Sequence, residues 1–226
     1  MLYEPKPFAE DHLPEKDGHK VYYSQYGNPA GSTIVHFHGG PGSRSKSRHA
    51  GQFDLETYRV ILIDQRGAGK SEPLGKLEHN TTDHLLEDVE RVRAQLEIEK
   101  WFVAGGSWGS TLALTYAERF PERVSGLLLN AIFLADTKSI DWSVRNPNGV
   151  AMIYPDTWKL FNDELKELDL TPTDLPVLYK AFVAGDKQVK QKIASAFMNW
   201  EGNTMLVGEE VSLTRPEEVD EEGIAS

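Results

Sequence analysis

Cysteine is absent from the 226-residue chain, which excludes disulfides and thiolate zinc sites. Long apolar runs are absent too, since no stretch approaches the roughly 18 residues that a membrane-spanning helix needs. Residues 1–18, MLYEPKPFAEDHLPEKDG, have neither the basic start nor the apolar stretch of a signal peptide. These absences predict a soluble, cytoplasmic protein without a membrane partner.

Positive charge is scarce. Lysine and arginine number 24 against 35 aspartates and glutamates, giving a formal net charge of −11. This balance disfavours nucleic acid as a partner and mildly favours cationic ligands. The excess is strongest in residues 209–222, EEVSLTRPEEVDEE, which we interpret as a solvated segment or loose tail. Asn80-Thr81-Thr82 matches a glycosylation sequon, but without a secretory signal we interpret it as a chance match.

Strand-like and helix-like segments alternate up to about residue 132, which is typical of a buried, mostly parallel sheet. One predicted helix, TTDHLLEDVERVRAQLEIE, can be capped by Thr81 or Thr82, and a second, SWGSTLALTYAERF, begins at Ser107. The apolar face of the first helix consists of Leu85, Val89, Val92 and Leu96. The predicted strands are KVYYSQYG (20–27), STIVHFH (32–38), YRVILID (58–64), WFVAGG (101–106) and VSGLLLNAIF (124–133).

The chain changes character from about residue 134, where strand-like runs give way to helical segments. These segments are DTWKLFNDELKEL, with Asp156 as a candidate cap, TDLPVLYKAFVAG, and DKQVKQKIASAFMNWEG, with Asp186 as a candidate cap. The last has an apolar stripe of Val189, Ile193, Phe197 and Trp200. We therefore predict an α/β core over residues 1–133 and a helical cap with an acidic tail over residues 134–226.

The stretch VAGGSWGST (103–111) contains the G-x-S-x-G pattern, the turn that raises a nucleophilic serine from the top of an α/β-hydrolase sheet. The predicted strand before it and helix after it match that context. Small neighbours are needed there because the backbone at such a serine is strained. We predict Ser107 as the nucleophile.

The segment HGGPG, His38 to Gly42, follows a predicted strand and has the glycines that let backbone N–H groups approach a substrate oxygen. We predict that the N–H groups of Gly40 and Trp108 form an oxyanion hole. His36 and His38 could instead ligate a metal, but no further cluster of ligands accompanies them, so no metal and no cofactor is predicted.

A rival function is suggested by DQRGAGKS (64–71), whose Gly69-Lys70-Ser71 resembles the end of a phosphate-binding P-loop. Asp64 stands where the P-loop has its first glycine, and its carboxylate would repel phosphate. Pro73 and Gly75 also interrupt the helix that should follow. The favoured interpretation is a tight turn in which Asp64 and Arg66 form internal hydrogen bonds.

A serine nucleophile needs a base, and in this fold the histidine comes after the acid, last in the chain. All seven histidines precede Ser107: His12, His19, His36, His38, His49, His79 and His84. His38 begins the predicted oxyanion loop, and His79 and His84 flank a predicted helix start. We therefore expect none of them to act as the base.

Several motifs together resemble the proline iminopeptidase (prolyl aminopeptidase) family of serine peptidases: DGHKVYYSQYGNP, HGGPG, DQRGAGKS, NTT, DVERVR, GGSWGSTLALTYAERFPERV and NWEG. The resemblance covers residues 17–133 and continues more loosely through the cap. It implies an α/β-hydrolase that releases N-terminal proline from peptides by attack of Ser107 on the prolyl carbonyl. It also implies that Glu201 pairs with the cationic imino terminus and that Phe133 lies against the pyrrolidine ring.

Two departures from the family define the remaining expectations. Trp142-Ser143-Val144 stands where the family pattern has aromatic residues after the first tryptophan of the cap. The family's chains also continue through two strands that carry the aspartate, the histidine and a second amine-binding glutamate. We therefore expect a C-terminally truncated α/β-hydrolase, lacking its last strands and inactive alone. The alternatives are a related esterase or amidase with an altered pocket, or a non-catalytic short form that only binds.

Overall fold

A computed structural model describes residues 4–205, which divide into two compact units between Leu134 and Ala135. The first unit is built on a sheet, and the second consists of helices and turns. The acidic segment 209–222 lies outside the described residues. Within residues 4–205, no helix combines the length and the apolar character needed to cross a bilayer.

The first unit contains a six-stranded sheet with the order β1-β2-β4-β3-β5-β6. The last four of these strands pair in parallel, whereas β2 is antiparallel to both of its neighbours. This arrangement confirms the predicted mostly parallel sheet. The strands are β1 (Ala9–His12), β2 (Tyr22–Gly27), β3 (Ser32–Phe37), β4 (Tyr58–Ile63), β5 (Trp101–Ser107) and β6 (Val124–Ile132). Strand β1 is not predicted by the sequence, because AEDH is short and has no apolar alternation.

Alternate side chains of the strands point to opposite faces of the sheet, so the first unit has two apolar clusters. The larger packs the sheet against α2 (Thr82–Gln95) and α3 (Trp108–Arg119). The smaller includes Ala50 of the short helix α1 (Ser47–Ala50). The predicted apolar face of α2 is confirmed, because Leu85, Val89 and Val92 are buried and Leu96 packs against the same cluster.

The second unit has four α-helices in its described part: α4 (Thr137–Ile140), α5 (Pro155–Lys166), α6 (Leu175–Ala184) and α7 (Lys187–Met205). No strand occurs between residues 135 and 205. The core of this unit joins α5, α6 and α7, with the ring of Trp200 stacked on Phe161 at 5.6 Å. The predicted stripe of α7 is confirmed: Ile193 and Trp200 are buried, and Val189 and Phe197 pack against them.

One of the two predicted helix caps in the second unit is confirmed. Asp186 accepts hydrogen bonds from the backbone N–H groups of Gln188 (2.9 Å) and Val189 (3.0 Å) at the start of α7. The prediction that Asp156 caps α5 is wrong. The helix begins at Pro155, so Tyr154 is its N-cap residue and Asp156 is its second residue. Proline at the first helical position has a suitable φ and needs no partner for an N–H group.

The DQRGAGKS segment forms the predicted internally bonded turn. The Asp64 carboxylate accepts the backbone N–H groups of Ser45 and Lys70, both at 2.8 Å. The backbone N–H group of Lys70, which in a P-loop would point at phosphate, is therefore bonded to the Asp64 carboxylate. Arg66 is buried and makes a bidentate pair with Asp88 on α2, with N···O distances of 2.5 and 3.0 Å. These bonds fix the turn that follows β4.

Candidate active site

The candidate site lies at the carboxyl ends of three adjacent strands. Because β4, β3 and β5 are neighbours and run parallel, the segments that follow them meet at one edge of the sheet. Gln65 follows β4, His38 follows β3, and Ser107 ends β5. The sheet order thus brings together residues that are distant in the sequence.

Ser107 has the backbone conformation of a strained turn, with φ 55° and ψ −127°. It is the last residue of β5 and the N-cap residue of α3. The turn depends on close backbone contacts, because a Cβ on Gly105 would lie 2.2 Å from the Gly109 oxygen. A Cβ on Gly109 would lie 2.2 Å from the Phe37 oxygen of β3. The glycines of the motif therefore allow the strand, the turn and the next strand to pack together.

The first turn of α3 also holds the end of β6. The Ser110 hydroxyl donates to the backbone oxygen of Ser107 at 2.6 Å and accepts the N–H group of Phe133 at 3.0 Å. The Thr111 hydroxyl donates to the Phe133 oxygen at 2.5 Å. Phe133, predicted to lie against the substrate ring, is thus tied through its backbone to the helix that Ser107 begins.

The HGGPG loop lies against Ser107. A Cβ on Gly39 would be 3.3 Å from the Ser107 Cβ and 3.8 Å from its Oγ. Gly40 has φ 114°, and a Cβ there would be 2.7 Å from the backbone nitrogens of Gly42 and Ser43. The two segments that contain the predicted oxyanion donors are therefore adjacent. The convergence of the Gly40 and Trp108 N–H groups on one oxygen remains a prediction.

Gln65 connects these two segments. Its amide oxygen accepts the indole N–H of Trp108 at 2.9 Å, and its amide nitrogen donates to the backbone oxygen of His38 at 3.0 Å. Its backbone N–H group donates to Nε2 of His38, also at 3.0 Å. The contacts of Gln65 therefore join the residue after the nucleophile to the residue that opens the glycine loop.

No histidine in residues 4–205 hydrogen-bonds to the Ser107 hydroxyl. Both ring nitrogens of His38 contact backbone groups, those of Gly39 and Gln65. His36 packs against the ring of His49 at 4.9 Å, and burial, with His49 and His38 nearby, lowers the pKa of His36 to about 3. No group of three or more metal-ligating side chains occurs in the same residues.

Glu201 belongs to the second unit, on α7, and its side chain is exposed. Partial desolvation raises the pKa of its carboxyl above the usual value. The preceding Trp200 is buried, and its indole donates to the backbone oxygen of Ser143 at 2.9 Å. Val144 packs against the same cluster, so the segment that departs from the family pattern contributes to the core of the second unit. The pairing of Glu201 with a substrate at Ser107 remains a prediction.

Gln65, Ser110 and Thr111 contribute to the geometry of the site, although their positions in the sequence do not predict these contacts. Gln65 lies in the DQRGAGKS segment and the other two follow the serine motif, so each is next to a recognisable pattern. Their partners lie between 3 and 43 residues away, and most contacts depend on the order of the strands. Their position next to these motifs is the signal in the sequence that indicates a role for the three residues.

The sequence is similar to a known family of proteins and to several of its members. The family described as alpha/beta hydrolase fold matches residues 32–170. A proline iminopeptidase of Arabidopsis thaliana is 42% identical over 201 residues, which are 88% of this chain and 52% of that protein. A proline iminopeptidase of Neisseria meningitidis serogroup A is 39% identical over 226 residues, covering 100% of this chain and 70% of that protein. The chain thus spans about half of one relative and rather more of the other.

A solved structure has the same fold at lower sequence identity. A proline iminopeptidase-related protein from Thermus thermophilus is 24% identical, with a TM-score of 0.51. The similarity covers 80% of this chain and 58% of that protein. It supports the arrangement of strands and helices that places Ser107 at the end of β5.

Proposed function

Because the chain belongs to the proline iminopeptidase family of α/β-hydrolases, we propose that Ser107 is the nucleophile of a serine aminopeptidase that releases N-terminal proline from peptides. The observation that carries this proposal is the conformation of Ser107, with φ 55° between the end of β5 and the start of α3. A serine in such a strand-to-helix turn exposes its Oγ at the carboxyl edge of the sheet. The adjacent Gly39 brings the loop with the proposed oxyanion donors to the same place.

The proposed reaction proceeds through a prolyl-enzyme ester. The Ser107 Oγ attacks the prolyl carbonyl carbon while a general base takes its proton, and the carbonyl oxygen becomes an oxyanion. The N–H groups of Gly40 and Trp108 donate to this oxyanion. The C–N bond then breaks, and the leaving amine takes the proton from the protonated base. Water hydrolyses the ester, releasing proline and restoring the Ser107 hydroxyl.

The base and its orienting acid, in this proposal, are not among residues 1–226. All seven histidines precede Ser107 in the sequence. Both ring nitrogens of His38 contact backbone groups of Gly39 and Gln65, and no histidine in residues 4–205 hydrogen-bonds to the Ser107 hydroxyl. A site with the nucleophile and oxyanion donors but no base retains only slight activity, because proton transfer is lost. The 226 residues alone are therefore proposed to be inactive as a peptidase.

The test compares the 226-residue chain with a chimera that adds the part of the Neisseria relative that this chain does not cover. We expect the chimera to hydrolyse prolyl-naphthylamide, Ser107→Ala to abolish that activity, and the 226-residue chain to stay near background. Comparable proline release by the 226 residues alone would show that one of the seven histidines is the base. Activity that survives Ser107→Ala would overturn the assignment of the nucleophile.

Substrate selection is assigned to Glu201 and Phe133. The amino terminus of a peptide is largely cationic near neutral pH, and a carboxylate binds it through charge-assisted hydrogen bonds. The pKa of Glu201 is raised, so the carboxylate is lost at a higher pH than for an ordinary glutamate. Binding of the prolyl substrate should therefore weaken as the pH falls through that raised pKa.

Glu201→Gln tests this role in the chimera. We expect a higher KM for prolyl-naphthylamide by about tenfold, in line with the loss of one charge-assisted hydrogen bond, and an unchanged KM for a simple ester without an amino group. The variant should also lose the acid-side rise in KM. Equal effects on the amide and on the ester would contradict selection of the amine by Glu201.

A related esterase or amidase is the second candidate, and the segment Trp142-Ser143-Val144 favours it. Ser143 and Val144 are used in the packing of the cap, and Trp142 is exposed. A panel of aminoacyl-naphthylamides and simple esters distinguishes the two candidates. A preference for esters, or for non-prolyl amides, would favour the altered pocket.

A further inference from the structure

We propose that Gln65 is a positioning residue that holds the glycine loop and the nucleophile turn in the relative placement required for oxyanion binding. This inference rests on the proposed function, because it assigns Gln65 to the placement of the Gly40 and Trp108 N–H groups. It adds to the site a residue that touches neither the substrate nor the Ser107 hydroxyl.

The side chain of Gln65 is almost completely buried, with 6% of its surface exposed. Its two amide atoms face different segments: Oε1 accepts from Trp108 Nε1 at 2.9 Å, and Nε2 donates to the His38 oxygen at 3.0 Å. An indole N–H can only donate, and a backbone carbonyl can only accept. The orientation of the amide is therefore fixed, and only a side chain with both a donor and an acceptor satisfies the two partners.

The backbone of Gln65 extends the same connection through the ring of His38. The Gln65 N–H group donates to Nε2 of His38, so the proton of the neutral ring is on Nδ1. Nδ1 then donates to the oxygen of Gly39 at 2.8 Å. Burial lowers the pKa of His38, which favours this neutral form. Gly39 is the residue whose Cα hydrogen faces the Ser107 Cβ, so the connection ends beside the nucleophile.

The position of Gln65 explains why one side chain can control both segments. It follows β4, whose neighbour β3 lies between β4 and β5. The amide reaches across the end of β3, contacts His38 on the way and meets Trp108 beyond the end of β5. Loss of the amide would leave the glycine loop and the nucleophile turn without this shared anchor, and small displacements of oxyanion donors are costly to catalysis.

Gln25 offers a matched control. It is equally buried, at 7% exposed, and its amide oxygen accepts two hydrogen bonds from Arg59. It lies on β2, which is separated from β3 by β4. Replacing either glutamine by methionine removes a buried amide of the same length, but only Gln65→Met removes the anchor of the site.

The first measurement is the NMR order parameter of the backbone N–H groups of Gly40 and Trp108 in the 226-residue chain. We expect Gln65→Met to lower both from the rigid value of about 0.85 toward about 0.6, and Gln25→Met to leave both unchanged. Gln65→Glu serves as a nearly isosteric second variant. It keeps the acceptor for Trp108 but loses the donor to His38, so it should lower the order parameter of Gly40 more than that of Trp108.

The second measurement is the binding of prolyl boronic acid to the chimera, because boronic acids form a tetrahedral adduct with an activated serine hydroxyl. We expect Gln65→Met to raise its Kd about tenfold or more, Gln25→Met to leave it unchanged, and Ser107→Ala to abolish binding. Unchanged order parameters at Gly40 and Trp108 in both Gln65 variants overturn the inference. If the order parameters fall but the unsubstituted chimera binds no boronate, the proposed function fails while the positioning of the two segments by Gln65 is supported.

Discussion

Ser107, the residue whose hydroxyl is the proposed nucleophile, has a strained backbone conformation. Its φ of 55° lies where residues with a Cβ are disfavoured, at a cost of about 1–3 kcal/mol. The contacts of Gly105 and Gly109 with neighbouring backbone maintain this conformation. The folded unit therefore tolerates a local cost at the residue that carries the proposed nucleophile.

Replacing Ser107 by glycine should relieve this strain, whereas alanine should retain it. Both changes remove the same hydroxyl, which has no hydrogen-bond partner among the described residues, so they form a matched pair. We expect Ser107→Gly to have a free energy of unfolding about 1 kcal/mol higher than Ser107→Ala, after the greater chain entropy of glycine is included. Urea unfolding of the two variants measures this difference. A less stable glycine variant would show that the turn is not strained.

His36 should make the protein less stable in acid. Burial lowers its pKa in the folded state to about 3, below the ordinary value of 6.5. Between these values the unfolded state binds a proton that the folded state does not, so stability rises with pH through this window and is lost on acidification. The contribution amounts to about 2 kcal/mol between pH 7 and pH 5.

His36→Leu should reduce that loss. We expect its free energy of unfolding to fall by about 2 kcal/mol less than that of the unsubstituted chain between pH 7 and pH 5. Urea titrations at the two pH values measure the change, with His12→Leu, a replacement outside the core, as the control. An unaltered pH dependence in His36→Leu would mean that His36 is protonated in the folded state.

Strands β1 and β6 form the two edges of the sheet, and their surfaces differ in character. Strand β1 has four residues, of which Glu10 and Asp11 are exposed acids that discourage pairing with another chain. Strand β6 has nine residues, and Leu128 and Ile132 are 61% and 63% exposed. Among the described strands, β6 has β5 as its sole neighbour. A long apolar edge of this kind favours association.

Self-association of the 226-residue chain through β6 is therefore expected. Leu128→Lys should shift the chain toward the monomer, because a charged side chain on an edge strand opposes pairing. Leu77→Lys replaces a leucine of similar exposure in a loop of the same unit and should have little effect. Sedimentation velocity over a range of concentrations measures the distribution. Equal behaviour of the two variants would contradict an association through β6.

The sequence predicts elements best where one pattern decides them. Five strands and both long helices of the first unit are predicted because their apolar patterns are strong. The nucleophile turn is predicted because its motif is local. Strand β1 is not, since its pairing with β2 depends on a distant segment. Gln65 is not, since its partners His38 and Trp108 are 27 and 43 residues away.

At the scale of the whole molecule, the two units have separate apolar cores. Leu112 is fully buried in the core of the first unit and Phe161 in the core of the second. Cavities left by truncating such side chains cost about 2–5 kcal/mol at the truncated site. The packing of its own core should therefore determine the stability of each unit.

Truncation in one core should destabilise that unit more than the other. We expect Phe161→Ala to speed hydrogen exchange chiefly at the amides of α5 to α7, and Leu112→Ala chiefly at those of β3 to β5. Native-state hydrogen exchange resolves the two patterns, and each variant is the control for the other. Uniform acceleration across both units in either variant would indicate a single cooperative structure.

The order of the strands also determines the order in which contacts form during folding. The contacts of Gln65 with His38 and Trp108 can form only after β4, β3 and β5 have docked side by side. Contacts between distant residues require the closure of long loops, which slows their formation. The helix α2, whose contacts are local, can form far earlier. During refolding, the indole of Trp108 should reach its native surroundings among the last groups in the first unit, so the proposed site is completed when that unit is.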